Sequence, residues 1–316
     1  MIVITGGTGF VGSALVQQMI DKGLGGTVAM LLRNDRNPTA PTSQQLHCIR
    51  TITLDAQVNV TTTLSGVKTV IHLAGRAHIM NDSAPDPLKA FRTANCDYAL
   101  HVAKQAIAAG VKRFIYISSI KVNGERTNNG QPFSELSPPS PSDPYSISKH
   151  EAEVALSALS KETGLELVII RPPLIYGDGA KGNFVRLAYL TARGIPLPFG
   201  AINNSRSLLY VKNLVDFLIL CTHHSKAAQQ TFVLSDGQDV STTKILRTLA
   251  QAQSSPARLL PVPAPWLRVS MQLLGAGKMA DRLLGSLQVD ASKAQELLGW
   301  TPPFSFETGI RDMFKK

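Results

Sequence analysis

Cysteine is scarce in this 316-residue chain, and the three present, Cys48, Cys96 and Cys221, are far apart and odd in number. They form no CxxC pair and no disulfide framework, so the expected compartment is a reducing cytoplasm. Long apolar runs are missing as well. The opening "MIVITGG" has no basic n-region and breaks into glycine after five residues, which reads as a strand and not a signal peptide. The most apolar later stretch, "PVPAPWLRVSMQLLGAGKM", is cut by Arg268, Gly275, Gly277 and Lys278. It is too broken to span a bilayer, which leaves room only for a helix lying at an interface. Basic arms are lacking too: Lys and Arg outnumber Asp and Glu by 32 to 22, yet no run of them resembles a tail, so no nucleic-acid partner is expected. His223 and His224 are adjacent and point different ways, with no Cys or carboxylate cluster to complete a metal site. No metal is expected.

What is present is an alternation. "MIVIT", "TVAMLL", "KTVIHLAG", "RFIYISS" and "LELVIIRPP" read as buried strands, continuous in apolar residues and rich in Val and Ile. Between them lie the helical patterns "VGSALVQQMIDKG", "PLKAFRTANCDYALHVAKQAIAAG" and "PYSISKHEAEVALSALSKETG", the last two stopped by Gly110 and Gly164. Alternation of this kind means βαβ crossovers, hence an α/β fold with a doubly wound parallel sheet of Rossmann type. After Pro172 proline and glycine become dense, and a smaller mixed α/β part is expected over 172–316, the first part covering 1–171. Segments near 207–235 ("SRSLLYV", "QTFVLSD") are expected to interleave with the first part, completing the sheet or walling a pocket. Trp266 and Trp300 read as packing residues and His72 as a structural residue at a strand end.

In "ITGGTGFVG", Gly6, Gly9 and Gly12 recur at a spacing of three between the first strand and the first helix. One glycine can make the turn, one can admit a pyrophosphate to the backbone, and one can let helix and strand pack closely. The helix N-terminus supplies unpaired N–H groups for the anion. The second strand ends in Arg33, where a carboxylate would mark NAD. A guanidinium there suits a 2′-phosphate, so NADP(H) is favoured with NAD(H) as the alternative. Asp55, closing "TITLD", could accept the adenine amino group or cap the next segment.

"DPYSISK" carries candidate chemistry. Asp143 suits an N-cap and Pro144 the first helical position, which puts Tyr145 and Lys149 four apart on one face. A tyrosine has an ordinary pKa of about 10, and a nearby ammonium is expected to bring it toward neutrality for proton transfer. Ser119 ends the strand "RFIYISS", where open parallel sheets place their ligands, and could bind the same substrate oxygen.

With these residues in view, the chain resembles the extended short-chain dehydrogenase/reductase family, and within it the nucleotide-sugar branch. The motifs that carry the resemblance are "TGGTGFVG", "VIHLAG", Asn95 in the long helix, "ISSIKVNGE", "YSISK", "RPPLIYG", "RSLLYVKNL" and "KAQELLGWTP". The resemblance implies Ser119, Tyr145 and Lys149 as catalytic residues. It implies cofactor contacts from Gly6, Gly9, Phe10, Val11, Gly12, Leu73, Ala74, Gly75 and Pro172, besides Arg33, Asp55, Tyr145 and Lys149. Ser119, Lys121, Asn183 and Arg206 are the implied contacts to a UDP-sugar, and a homodimer is the implied assembly. Members that dehydrate nucleotide sugars carry an Asp-Glu pair right after the catalytic Ser or Thr. Here Ile120 and Lys121 stand there, which excludes a 4,6-dehydratase. Two reactions remain. Reduction of the C4 ketone of a UDP-4-keto-6-deoxy-(N-acetyl)hexosamine, for bacterial surface-polysaccharide sugars, is favoured by Arg33 and by Asn123, where many epimerases have Tyr. The alternative is an NAD-dependent UDP-hexose or UDP-N-acetylhexosamine 4-epimerase; a non-catalytic dinucleotide-binding regulator is a further alternative, although such proteins often lose the tyrosine or lysine retained here.

Overall fold

The computed structural model describes residues 1–33, 50–54, 64–77, 84–128, 130–180 and 182–315, with only the backbone described for residues 32, 33, 50–54, 183 and 278. Seven parallel strands form the main sheet: β1 (Ile2–Thr5), β2 (Val28–Arg33), β3 (Arg50–Leu54), β4 (Thr69–His72), β5 (Arg113–Ile117), β6 (Glu166–Arg171) and β9 (Gln230–Val233). Their order is β3-β2-β1-β4-β5-β6-β9, so the chain reverses direction of growth between β1 and β4. Ligands bind outside the carboxyl ends of strands at such a reversal. The three-residue strands β7 (Leu174–Tyr176) and β8 (Leu208–Tyr210) pair apart from this sheet. β3 had no counterpart among the strands read from the sequence, because it alternates Thr with Ile and Leu and lacks the continuous apolar run of the others.

Alternate residues of each strand feed opposite faces. Ile4, Met30, Ile71, Ile115 and Val168 pack with Leu15, Val16 and Met19 of α1 (Phe10–Asp21) and with Leu214, Phe217 and Leu218 of α6 (Val211–Cys221). Val3, Leu31, Val70, Phe114 and Leu167 pack with Ala99, Val102 and Ala106 of α3 (Tyr98–Ala108) and with Ala152 and Leu156 of α4 (Pro144–Thr163). Each fully buried Leu, Ile or Phe contributes roughly 1.5–3 kcal/mol of transfer free energy. The helix read from the sequence as one element from Pro87 is α2 (Pro87–Arg92), a π turn over Thr93–Asp97, then α3. A widened turn of this sort is common at functional sites, and this one holds Asn95 with its side chain fully buried.

β7 and β8 anchor a second layer with α5 (Asn183–Ala192), α7 (Thr242–Ala252) and α11 (Phe306–Asp312) around Tyr176, Tyr210, Leu249 and Phe306. Asp236 ties this layer to the sheet. One of its oxygens accepts from Tyr210 N and Asn213 Nδ2, the other from the Tyr176 hydroxyl at 2.7 Å. Beyond it, α8 (Ala264–Leu273) and α9 (Gly277–Leu284) close over Leu197, Phe199 and Leu246; α10 (Ser292–Leu298) packs back on the main core. Trp300 is buried against Phe217 at 4.9 Å between centroids, as packing requires. Trp266 corrects the sequence reading: it is 76% exposed, on the outer face of α8 and not in a core.

Candidate active site

The glycine loop runs from β1 into α1. Gly6 has φ +69°, and a Cβ on it would come within 2.7 Å of Ala74 N. A Cβ on Gly12 would overlap Gly6 O and the Gly7 Cα, so the helix can start this close to the strand only without a side chain there. Gly9 differs: its only neighbour on that side is Gly6 O, so the loop is open outward. The helix behind it has no side-chain cap and no acidic residue in its first turn, leaving its N-terminal N–H groups for an incoming anion. Phe10 and Val11 turn inward onto the second-layer core. Thr5, fully buried, bonds His72 Nδ1 at 3.0 Å and accepts from Ala74 N at 3.2 Å, fixing the "Leu73-Ala74-Gly75" segment across the loop. His72 lies within 6.0 Å of the Tyr98, Phe114 and Tyr116 rings, and burial lowers its pKa to about 3, with Lys149 adding to the effect. It is a neutral structural residue.

On the neighbouring strand, Ser118 N bonds Ile170 O and Ile120 N bonds Pro172 O, so β5 and β6 hold Ser119 between them. Ser119 is buried and faces Tyr145, whose helix starts in a capping box. Asp143 accepts from Ser146 N at 2.7 Å while Ser146 Oγ accepts from Asp143 N at 3.0 Å. The box, with Pro144, fixes the first turn of α4 and so the tyrosine. The Ser119 hydroxyl donates to the Tyr145 oxygen, which favours phenolate, but burial outweighs it and pushes the pKa up to about 12, with Asp143 adding to the rise. The Lys149 ammonium donates to Ile117 O at 2.7 Å and lies 4.6 Å over the Tyr116 ring. Burial lowers its own pKa to about 8, opposed by Glu153. A Cβ on Gly75 would lie 3.5 Å from its ammonium, which places Lys149 beside the loop that faces Gly6.

Asn95 closes the same floor. Its Nδ2 donates to Ser148 Oγ and Arg76 O, and its Oδ1 accepts from Arg76 N at 2.7 Å. The chain's own groups therefore hold one proton-carrying hydroxyl, one serine and one ammonium at the carboxyl ends of β1, β4 and β5, below an open, uncapped helix N-terminus. Such a set, with an open glycine loop beside it, fits a dinucleotide. The sequence matches the NAD dependent epimerase/dehydratase family over residues 2–235. A UDP-glucose 4-epimerase of Vibrio cholerae is 44% identical over 311 residues, covering 98% of this chain and 93% of that protein. This chain belongs to that epimerase/dehydratase family.

Two solved structures share the fold of this epimerase/dehydratase. A UDP-glucose 4-epimerase from Thermotoga maritima, with UDP-glucose, superposes with TM-score 0.77 at 24% identity, covering 99% of this chain and 96% of the other. A UDP-glucuronic acid 4-epimerase from Bacillus cereus, in complex with NAD, gives TM-score 0.75 at 20% identity, covering 98% and 96%.

The remaining expected contacts of this epimerase/dehydratase fall into three groups. Arg206 lies on a short bridge with Val240 and Leu287, donates to Gly285 O at 3.0 Å, and has its pKa lowered by burial and by Arg282 nearby. Among the described residues neither guanidinium has a carboxylate partner, so the pair can receive a diphosphate. Lys121 instead spends its charge on Asp143 at 2.5 Å and Glu125 at 2.7 Å. Asn183 begins α5 and Arg33 ends β2, each described in backbone only, while Asp55 and Cys48 lie outside the described residues.

Sequence reasoning missed the buried pair that braces this floor. Arg171 forms a bidentate bridge to Glu153 at 2.6 and 3.0 Å, and its third nitrogen donates to Asn123 Oδ1 at 3.1 Å. Asn123 in turn donates to Ser137 O. The signal was there in the spacing, since Glu153 follows Lys149 by one helical turn. Arg282 was missed because it follows Asp281 directly, and such neighbours read as a solvated surface couple.

Proposed function

We propose that this enzyme inverts C4 of a UDP-hexose or UDP-N-acetylhexosamine, with NAD as its resident cofactor. The observation that carries the reading is a floor with one acid–base hydroxyl, Tyr145, bonded to Ser119, while the two positions after Ser119 offer no carboxylic acid to expel a hydroxyl group and the neighbouring Asp143 is held by Lys121 and by Ser146 N. Ile120 is buried and apolar, and Lys121 is tied to Asp143 and Glu125. The 44% identity to a UDP-glucose 4-epimerase favours this over the keto-sugar reduction that the sequence alone favoured. The T. maritima relative with UDP-glucose and the B. cereus relative with NAD support the substrate class and the cofactor.

Gly6, Gly9, Phe10, Val11 and Gly12 would hold the pyrophosphate, Leu73, Ala74, Gly75 and Pro172 the walls around the reactive end, and Lys149 the adjoining ribose. Arg33 and Asp55 would meet the adenosine end. Bound there, NAD would supply a reversible hydride acceptor for the C4 hydrogen and a positive charge in the site. With Tyr145 as the phenolate that this positive charge favours, its oxygen would take the proton of the C4 hydroxyl as the bond to the C4 hydrogen breaks, Ser119 would bond the same oxygen, and the 4-ketose would result, leaving Tyr145 protonated. After the sugar turns its other face, Tyr145 returns the proton to the new alkoxide oxygen. Arg206 with Arg282, helped by Asn183, would grip the UDP portion while the hexose turns, and Lys121, tied to Asp143 and Glu125, would not take part. The cytoplasm and a homodimer complete the reading.

A second reading, NADPH-dependent reduction of a UDP-4-keto-6-deoxy sugar, is favoured by Arg33 at the end of β2 and by Asn123 in place of Tyr. One experiment separates them. The purified enzyme is given UDP-glucose or UDP-N-acetylglucosamine, and the sugar is followed by NMR alongside nicotinamide absorbance. The proposal expects the C4-inverted sugar with no net change in cofactor. Stoichiometric loss of NADPH with the keto-sugar, and no inversion of either hexose, overturns it.

A further inference from the structure

The net charge of +10 is not spread over the molecule. Residues 179–215 hold five basic side chains and no carboxylate, residues 240–280 another five and none, and the rest of the chain has 22 of each sign. Both stretches meet at one place. The segment after α5 pairs with the segment before α8: Leu197 N bonds Arg258 O, Leu260 N bonds Leu197 O, and Gly200 N bonds Leu260 O. On α8, Leu267 faces the core formed with Leu197 and Phe199. The opposite face carries Trp266, Val269 and Leu273 at the i, i+3, i+7 spacing, with Leu274 next to it. Their exposures are 76%, 56%, 83% and 82%. Leu260 lies open before the helix.

Single exposed leucines are ordinary, but three large apolar side chains on one face of a ten-residue helix, with Leu274 at its C-cap, are a patch. Around it stand Arg193 and Arg258, both exposed, while the nearby carboxylate Asp281 is consumed by Arg126 and Arg268. No helix among the described residues is long and apolar enough to cross a membrane. We infer that α8 and its flanks form a docking face for an anionic phospholipid bilayer, Trp266, Val269, Leu273 and Leu274 entering the headgroup–acyl boundary and the arginines facing the lipid phosphates. A second copy of this chain fits less well, because two such faces would bring arginine against arginine. Trp is the side chain best suited to the water–lipid boundary, and a local cationic excess without carboxylates is what an anionic leaflet attracts.

The test uses the full chain with vesicles of phosphatidylcholine, with and without phosphatidylglycerol. The protein should co-sediment with the anionic vesicles only, be released by salt, and show a blue shift of Trp266 emission, since the other tryptophan, Trp300, is already buried. The triple variant Trp266→Ser/Leu273→Ser/Leu274→Ser should bind about tenfold more weakly or worse with an unchanged thermal midpoint. Arg193→Ser/Arg258→Ser should weaken binding while leaving the apolar face intact. Failure of the wild type to bind anionic vesicles, equal binding to neutral ones, or undiminished binding by the triple variant overturns the inference. So does a dimer that the triple variant dissociates in a protein that ignores vesicles.

Discussion

At the carboxyl ends of β1, β4 and β5 the polar groups are buried and already engaged by the chain itself: Thr5 by His72, Lys149 by Ile117 O, Asn95 by Arg76 and Ser148. In the second layer, Arg206 and Arg282 have no carboxylate partner among the described residues, and the sequence stretches around α5, α7 and α8 hold the basic excess of the chain. The first region is preorganised for a chemical step, where fixed dipoles cost nothing to reorient. The second pairs Lys212, Lys244 and Arg268 with carboxylates and leaves Arg206 and Arg282 for something that arrives from solution.

Replacing Tyr145 with Phe breaks the first region most severely. Turnover should fall on the order of 10³-fold, within the range of general acid–base catalysis, while NAD binding measured by fluorescence stays near wild type. Unchanged turnover would remove Tyr145 from the mechanism. Next in size is Glu153→Ala. Leaving Arg171 charged and buried without its partner costs about 3–5 kcal/mol, read as a large drop in the thermal midpoint. A drop no greater than that of an exposed variant would show that the pair is not bracing the floor. In the second region, Arg206→Ala should raise KM for the UDP-sugar by about 10- to 100-fold through lost charge-assisted hydrogen bonds, with kcat changed far less. A kcat effect larger than the KM effect would move Arg206 into the chemical step.

The smallest effect is a slope of stability with pH. Lys149 titrates at about 8 when folded against an ordinary 10.5. Between these values the unfolded chain binds the extra proton, so this residue's contribution to stability rises with pH across the window and is lost as pH falls through about 8. Denaturation of Lys149→Met should lack that rise; an identical pH profile would place the lysine in contact with water.

The difference between the two regions also decides what could be read from the sequence. Five of the seven main-sheet strands were legible because their burial on both faces writes continuous Val and Ile runs. β3 was not, since its Thr-Ile alternation is weak evidence in five residues. The positions of Ser119 and Tyr145 were legible because a strand end and an N-capped helix start are local features. The Tyr145 pKa was not: it depends on burial and on where the Lys149 ammonium points, and both are set by β5 and not by the spacing on α4. Trp266 was misread for a similar reason, because period alone says that a helix has two faces and not which one meets a neighbour. Reductase against epimerase turned on whole-length similarity, since Arg33 bears on the cofactor and only indirectly on the fate of the hydride.

The central claim is that one buried hydroxyl, Tyr145, serves a C4 oxidation that is reversed within the same site. The most direct measurement follows UDP-glucose carrying deuterium at C4 through the reaction by NMR and mass spectrometry. Return of the same hydrogen predicts a C4-inverted product that keeps the deuterium, with none appearing in water or in released nicotinamide. Inverted product with the label lost to solvent, or no inversion with NADPH consumed on a keto-sugar, would contradict it.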